Sequence, residues 1–337
     1  MKIHYFSGEP WEEVYVRERL PNDQIEFHTD PLSMHADLAD PEAQVLCTFI
    51  ESSPIGDAAL ARFPAVKLIA TRSTGFDHID LAVAAARGVA VANVPFYGEN
   101  TVAEFAFALL LALSRRIIDA DERVREKGTF SSTGLRGFDL AGKTIGVIGT
   151  GHIGAHVIRM AQGFSMKVVA FDAYPNAELA RILGFAYAPL EEVLANSDII
   201  TIHVPYNEHT HHLINQKNIS AVKKGAYLIN TARGAVVETE ALVSALKDRT
   251  LAGAALDVLE EEGDLNEEAA LLSAPHPKEE ELKIALENHY LINHPRVIVT
   301  PHTAFNTTEA VERILQTSIE NIKNFARGKP TNIVSVG

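Results

Sequence analysis

A single cysteine, Cys47, is the only thiol in the 337 residues, so no internal disulfide can form. That fits a reducing compartment. Cys47 lies inside the apolar run Val45-Leu46-Cys47-Thr48-Phe49-Ile50 and reads as a small buried hydrophobe, not a nucleophile. Basic residues are the minority: 30 Lys+Arg face 44 Asp+Glu, a formal net charge of −14. Nucleic-acid binding draws on clustered Lys and Arg to displace counterions, so this balance argues against it. An anionic ligand has to be captured by a locally placed cation, against the overall field. Long hydrophobic runs are also missing. The most apolar stretch, Phe105 to Leu113, falls well short of the ~20 residues of a membrane span. The N-terminal Met1-Lys2-Ile3-His4-Tyr5-Phe6 reads as a first strand and not as a signal segment. No repeat or low-complexity tract stands out, and the expectation is a folded cytoplasmic protein. At ~150 residues per domain, the length suggests two domains.

What is present is a regular alternation of short β-branched runs with helix-length segments, the signature of βαβ units around parallel sheets. Strands are expected at Lys67–Ala70, Val89–Val94, Thr144–Ile148, Val168–Phe171, Ile199–Val204, Ala226–Ile229, Ala252–Leu256 and Val297–Thr300. Most are continuously apolar, as strands covered by helices on both faces are. Between them, Thr101-Val102-Ala103-Glu104 fits a capping box that opens one helix over 101–126. Its core, Phe105 to Leu113, is apolar all round and has to be buried all round, within one domain or against a second subunit. The helix also marks a domain boundary.

The segment Gly149-Thr150-Gly151-His152-Ile153-Gly154 carries G-x-G-x-x-G. A β-branched strand precedes it, and an amphipathic helix follows with Ile153, Val157, Met160, Ala161 and Phe164 on one stripe. A second strand then ends at Asp172, 18 residues beyond Gly154. This context fits a dinucleotide site. Gly149 makes the tight turn, Gly151 lets the backbone approach a pyrophosphate, and Gly154 permits close helix–strand packing. The helix N-terminus offers N–H groups and a positive dipole end. Asp172 suits the adenosine ribose hydroxyls and repels a 2′-phosphate, so NAD is expected over NADP. Later strands end in His203-Val204-Pro205, in Thr231-Ala232-Arg233, at Asp257, and in Pro301-His302-Thr303. Ligands of open α/β sheets bind outside the carboxyl ends of strands, so these residues suggest one shared site. Arg233 has the chemistry to bind a carboxylate and His302 to donate a proton, although an Arg in a glycine turn can equally be a surface residue.

Taken in order, several of these pieces resemble the NAD-dependent D-2-hydroxyacid dehydrogenases. The matching stretches are Arg72 to Asp80, Asn93 to Leu113, the glycine motif to Asp172, His203 to Pro205, Asn230 to Gly234, Ala255 to Val258, and Pro301 to Phe305. The pattern is closest to the D-lactate dehydrogenase branch. The resemblance implies two doubly wound parallel-sheet α/β domains with a cleft between them. A flavodoxin-like substrate domain would take residues 1–100 and 303–337, and a Rossmann-type cofactor domain 101–302. It implies reversible hydride transfer between NAD(H) and a small 2-keto or 2-hydroxy acid, pyruvate to D-lactate being the first expectation. Arg233 would hold the carboxylate, and His302 would act as acid and base, oriented by Glu262. Gly149 to Gly154, Asp172, His203, Val204, Pro205, Thr231, Ala232, Arg233 and Asp257 would contact NAD. Ser73, Thr74, Gly75, Phe49 or Ile50, Tyr97, Arg233, His302 and Phe305 would contact substrate. A homodimer through helix 101–126 is expected, with neither a nucleic acid nor a membrane as partner.

Two features stand apart from that pattern. The stretch Gly263 to Arg296 is longer than in many relatives and either covers the site or contacts another subunit. His209, His211 and His212 look like a metal cluster, but they read better as a loop entering a helix, and no metal is expected. Hydroxypyruvate, phenylpyruvate or a branched keto acid can replace pyruvate in the same chemistry. A non-enzymatic alternative is an NAD(H)-sensing co-repressor on the same scaffold.

Overall fold

The computed structural model describes residues 1–49, 55–261 and 279–334. The chain divides into two compact units, Met1–Gly98 with Thr307–Gly337, and Glu99–Asn306.

In the first unit, β1 (Lys2–Tyr5), β2 (Gln24–Phe27), β3 (Val45–Thr48), β4 (Leu68–Thr71) and β5 (Ala90–Ala92) form a parallel sheet. Its order is β2-β1-β3-β4-β5, the flavodoxin-like winding. β3 and β4 are buried along their whole length, as their unbroken apolar sequence demands. One face is covered by the C-terminal helix Thr308–Ala326, whose Leu315, Ile319 and Ile322 pack with Ile3, Val45 and Leu68. Thr307 caps that helix, its hydroxyl accepting from the Ala310 amide. Cys47 is fully buried in β3, and burial pushes its thiol up to about 12, out of nucleophilic range.

The second unit opens with α1 (Glu99–Arg115) and α2 (Ile117–Arg125). Its parallel sheet comprises β6 (Thr144–Ile148), β7 (Lys167–Phe171), β8 (Ala186–Tyr187), β9 (Ile199–Ile202), β10 (Ala226–Asn230), β11 (Leu251–Leu256) and β12 (Val297–Val299). The order is β12-β11-β10-β9-β6-β7-β8. After β6 the chain winds outward through β7 and β8, then returns to place β9 on the other side of β6. The β6/β9 boundary is therefore the topological switch point, where ligands of such sheets bind. Helix α3 (His152–Gly163) follows β6, and Val157, Ile158 and Ala161 pack it against Ile145 and Val147. Among the described residues, no helix is long and apolar enough to cross a membrane.

Two expectations for the 101–126 helix are corrected. The helix begins at Glu99, so Thr101 is a buried interior residue and no capping box forms; Glu104 instead accepts from the Asn100 side-chain amide. It also breaks at Arg116, which adopts a left-handed conformation with φ 52°. The returning chain causes the break: the Phe138 amide donates to the Ser114 carbonyl at 3.0 Å, taking an acceptor that a longer helix would use. Within the single chain α1 leaves Glu104, Ala108 and Arg115 exposed along one stripe, so of the two expected ways to bury it all round, the one within its own domain is incomplete.

Candidate active site

The glycine motif lies between β6 and α3, at the switch point. Gly149 has φ +92°, a left-handed conformation, and a Cβ there would lie 2.7 Å from the His203 backbone at the end of β9. A Cβ on Gly154 would overlap the Gly149 carbonyl. Side-chain-free backbone is thus what lets β6, α3 and β9 converge. Gly151 differs: a Cβ there would meet no protein atom, so the turn opens outward at this residue. The Asp172 carboxylate, beyond the end of β7, accepts from the Thr150 amide at 2.7 Å and from Thr150 Oγ1 at 2.9 Å. Its other oxygen accepts from the Tyr174 amide at 2.9 Å.

At the neighbouring strand ends, two polar atoms are buried without a hydrogen-bond partner among the described residues, His203 Nδ1 and Thr231 Oγ1. Such orphans are rare in folded proteins, and a bound ligand or an ordered water is what completes their bonding. Burial pushes the His203 imidazole down to about 3, so it is neutral, and its Nε2 pairs with Thr201 Oγ1 at 2.8 Å. An open glycine turn at a helix N-terminus, a carboxylate at the next strand end and two orphaned polar atoms at the switch point fit a dinucleotide.

Arg233 follows β10 in a turn that Asn230 builds. Asn230 Nδ2 donates to the Arg233 carbonyl at 2.9 Å, and Asn230 Oδ1 accepts from the Ala232 amide at 3.0 Å. Gly234 then packs backbone to backbone on the Leu259–Glu260 peptide, where any Cβ would overlap the Leu259 carbonyl. The half-buried Arg233 donates through Nη1 to the Ala232 carbonyl at 2.8 Å.

His302, beyond β12, has φ 47°. Its amide donates to the Asp257 carbonyl at 2.8 Å, while the Asp257 amide donates to Asn230 at 2.9 Å. The Asp257 side chain is committed to the same loop: it accepts from Thr300 Oγ1 at 2.6 Å and from the Thr303 and Ala304 amides at 3.0 and 2.8 Å. Burial raises the Asp257 carboxyl against the pull of those donors. Asn230, Asp257 and His302 therefore link the strand ends that carry Arg233 and His302. Phe305 is half-buried just beyond.

Glu262, the carboxylate expected to orient His302, lies outside the described residues, as do Ile50 and 263–278. Its neighbour Glu260 is committed elsewhere. Glu260 accepts from His212 Nε2 at 2.7 Å and from Thr239 Oγ1 at 2.7 Å, and its carbonyl accepts from Asn288 at 2.8 Å. His212 is thereby a structural partner, and Thr210 closes its loop by donating to the Pro205 carbonyl at 2.6 Å.

In the first unit, the segment Ser73 to Gly75 is tied at several points. Ser73 Oγ donates to the Gly75 carbonyl at 2.6 Å, Thr74 Oγ1 to the Val94 carbonyl at 2.8 Å, and Asn93 Nδ2 to the Thr74 carbonyl at 2.8 Å. The buried Arg72 anchors its start, donating to Glu12 at 2.9 Å and lying over the rings of Tyr5 and Phe49. Tyr97 is half-buried, and its carbonyl accepts from Arg313 of the C-terminal helix. Reading the sequence missed Glu12, Arg72, Glu260 and Tyr187 as supports. Glu12 and Arg72 are 60 residues apart and share no local signal.

Comparison with known proteins agrees with this geometry. The D-isomer specific 2-hydroxyacid dehydrogenase NAD-binding domain matches residues 107–304. The 2-hydroxyacid dehydrogenase homolog 1 of Schizosaccharomyces pombe is 38% identical over 336 residues, with 97% of this chain and 96% of that protein covered. A glyoxylate reductase of Korarchaeum cryptofilum is 35% identical over 338 residues, with 96% and 95% covered. Among solved structures, D-lactate dehydrogenase from Aquifex aeolicus, complexed with NAD and lactic acid, matches with a TM-score of 0.86. It is 34% identical, with 97% of this chain and 96% of that one covered.

Proposed function

The chain belongs to the D-isomer specific 2-hydroxyacid dehydrogenase family, and from that premise we propose that it reversibly reduces a small 2-keto acid to its D-2-hydroxy acid, pyruvate to D-lactate first. It is an oxidoreductase of 2-hydroxy acids, and NAD is its cofactor. One observation supports the assignment of roles most strongly: the Asn230–Asp257–His302 hydrogen bonds tie together the backbone segments that carry Arg233 and His302, at the carboxyl edge of the sheet that holds the glycine turn.

In this reading, the amides of Gly149 to Gly154 hold the pyrophosphate and Asp172 takes the adenosine ribose. His203, Val204, Pro205, Thr231 and Ala232 complete the cofactor site. When bound, NADH supplies a hydride to the keto carbon. Arg233 grips the substrate carboxylate in the bidentate geometry that only a guanidinium offers. The amides of Ser73, Thr74 and Gly75 share it, and Phe49, Tyr97 and Phe305 shape the pocket. His302 protonates the developing alkoxide and removes that proton in the reverse direction. Glu262 is proposed to orient His302. Asp257 positions the His302 loop.

The test is NADH oxidation with glyoxylate, pyruvate, hydroxypyruvate, phenylpyruvate and a branched keto acid, and D- against L-lactate in reverse. Pyruvate is expected to give the highest kcat/KM, and D-lactate alone to be oxidised. No turnover with any keto acid would overturn the proposal. We also infer a homodimer through α1 and α2, because α2 buries none of its residues and leaves Ile117, Ile118 and Val124 exposed, with Phe130 beyond it 96% exposed. Light scattering should report twice the chain mass, and Ile118→Lys with Phe130→Asp should halve it. With Cys47 the single cysteine, no internal disulfide forms, which fits the proposed cytoplasmic location.

A further inference from the structure

The glycine turn is tied to a hydroxyl that lies outside the dinucleotide motif. Thr150 Oγ1 sits 2.9 Å from Asp172 Oδ2 and 2.8 Å from the Tyr187 hydroxyl, and the Tyr187 oxygen accepts from the Asn176 amide at 3.1 Å. The direction of each bond follows by elimination. An ionised carboxylate only accepts, so the single Thr150 hydroxyl hydrogen points to Asp172. Tyr187 must then donate to Thr150, which leaves its oxygen to take the Asn176 N–H. The chain runs one way, from Tyr187 through Thr150 to the Asp172 charge.

Its consequence is a count of lone pairs. A carboxylate offers about four acceptor sites, two on each oxygen. Oδ2 is filled by the Thr150 amide and hydroxyl, and Oδ1 holds one donor, the Tyr174 amide. The remaining capacity lies on Oδ1. Thr150 is buried and Tyr187 half-buried on the edge strand β8, so water competes weakly for these bonds.

We infer that Tyr187 is a positioning residue for cofactor selection, holding Asp172 through Thr150 so that Oδ1 faces a ribose hydroxyl and the charge opposes a 2′-phosphate. The inference rests on the reading of Asp172 as the ribose-facing carboxylate.

Fluorescence titration of the full chain with NADH and with NADPH tests it, with melting temperature followed alongside. Tyr187→Phe should weaken NADH about 3- to 10-fold, the loss of one ordinary hydrogen bond, and leave NADPH within about twofold. The NADPH/NADH ratio of Kd values then falls. Thr150→Val should lower it as well, the double variant should match Thr150→Val alone, and Thr150→Ser should restore the parent ratio. A lowered melting temperature with an unchanged ratio in Tyr187→Phe would make Tyr187 a support of the fold alone and overturn the inference, as would additive effects in the double variant. Asp172→Asn separates the two ideas: if it leaves the ratio unchanged, the reading of Asp172 itself falls. If it shifts the ratio and Tyr187→Phe does not, the inference alone falls.

Discussion

His203 and His302 both stand beyond carboxyl ends of strands, and their proposed roles differ. His203 is driven down to about 3 and stays neutral at any working pH, so it can bond a ligand but cannot supply the proton for a carbonyl. The proposed acid–base role is therefore given to His302. Replacing His302 by Ala should lower kcat about 10²- to 10⁴-fold with a small change in KM, measured by steady-state NADH oxidation. Arg233→Gln should instead raise KM for the keto acid roughly 10- to 100-fold, since a charge-assisted bidentate pair is lost. Unchanged kinetics would remove either residue from the mechanism. Both candidates come from the sequence because each follows a strand end, where such sheets bind ligands. Their supports do not. Beside the NAD contact expected of Asp257, the bonds from Thr300, Thr303 and Ala304 show a second task of its carboxylate, holding the loop that carries His302.

At the level of the elements, glycines separate structure from binding. Gly234 rests on the Leu259–Glu260 peptide, so Gly234→Ala should cost about 1–3 kcal/mol by overpacking and also displace Arg233. Urea denaturation should show the loss, and KM should rise with it. Gly151→Ala is the contrasting case, because its Cβ meets no protein atom. Its urea midpoint should stay near that of the parent while NADH affinity falls, given the proposed approach of the pyrophosphate to the backbone at Gly151. A stable variant with full NADH affinity would refute that assignment. Helix boundaries were less legible than glycine roles. The apolar run after Thr101 has the period of one continuous helix, and nothing local announces that Phe138 will take the Ser114 carbonyl and end it.

For the whole molecule, buried titrating groups set the pH range of stability. His203 and His28 both have their imidazoles lowered by burial, His28 also by the neighbouring His4 and His35. Below the ordinary histidine value near 6.5 the unfolded chain therefore binds protons that the fold refuses, and stability falls with acid. Asp40, held well below the carboxylate range by His4 and Lys2, adds to the loss at lower pH, while Asp257 opposes it. At the alkaline end, Cys47 and Tyr5 keep their protons in the fold and lose them when unfolded, so stability declines above about pH 9. Calorimetry from pH 4 to 10 should show the melting temperature dropping on both sides of a neutral plateau, and His203→Gln should flatten the acid limb. The charge of −14 opposes an anionic substrate from outside, so kcat/KM should rise with salt. A flat salt profile would leave capture to Arg233 alone. The sequence by itself determined the alternating α/β class and the glycine turn between β6 and α3, because periodicity and motif chemistry are written locally, and its resemblance to the family carried the two parallel-sheet domains and NAD. Only the tertiary structure decided the order of the strands and which distant groups pair, Glu12 with Arg72, Glu260 with Thr239 and Tyr187 with Thr150. Such partners are joined across long stretches of chain by burial, and burial leaves no trace in local spacing.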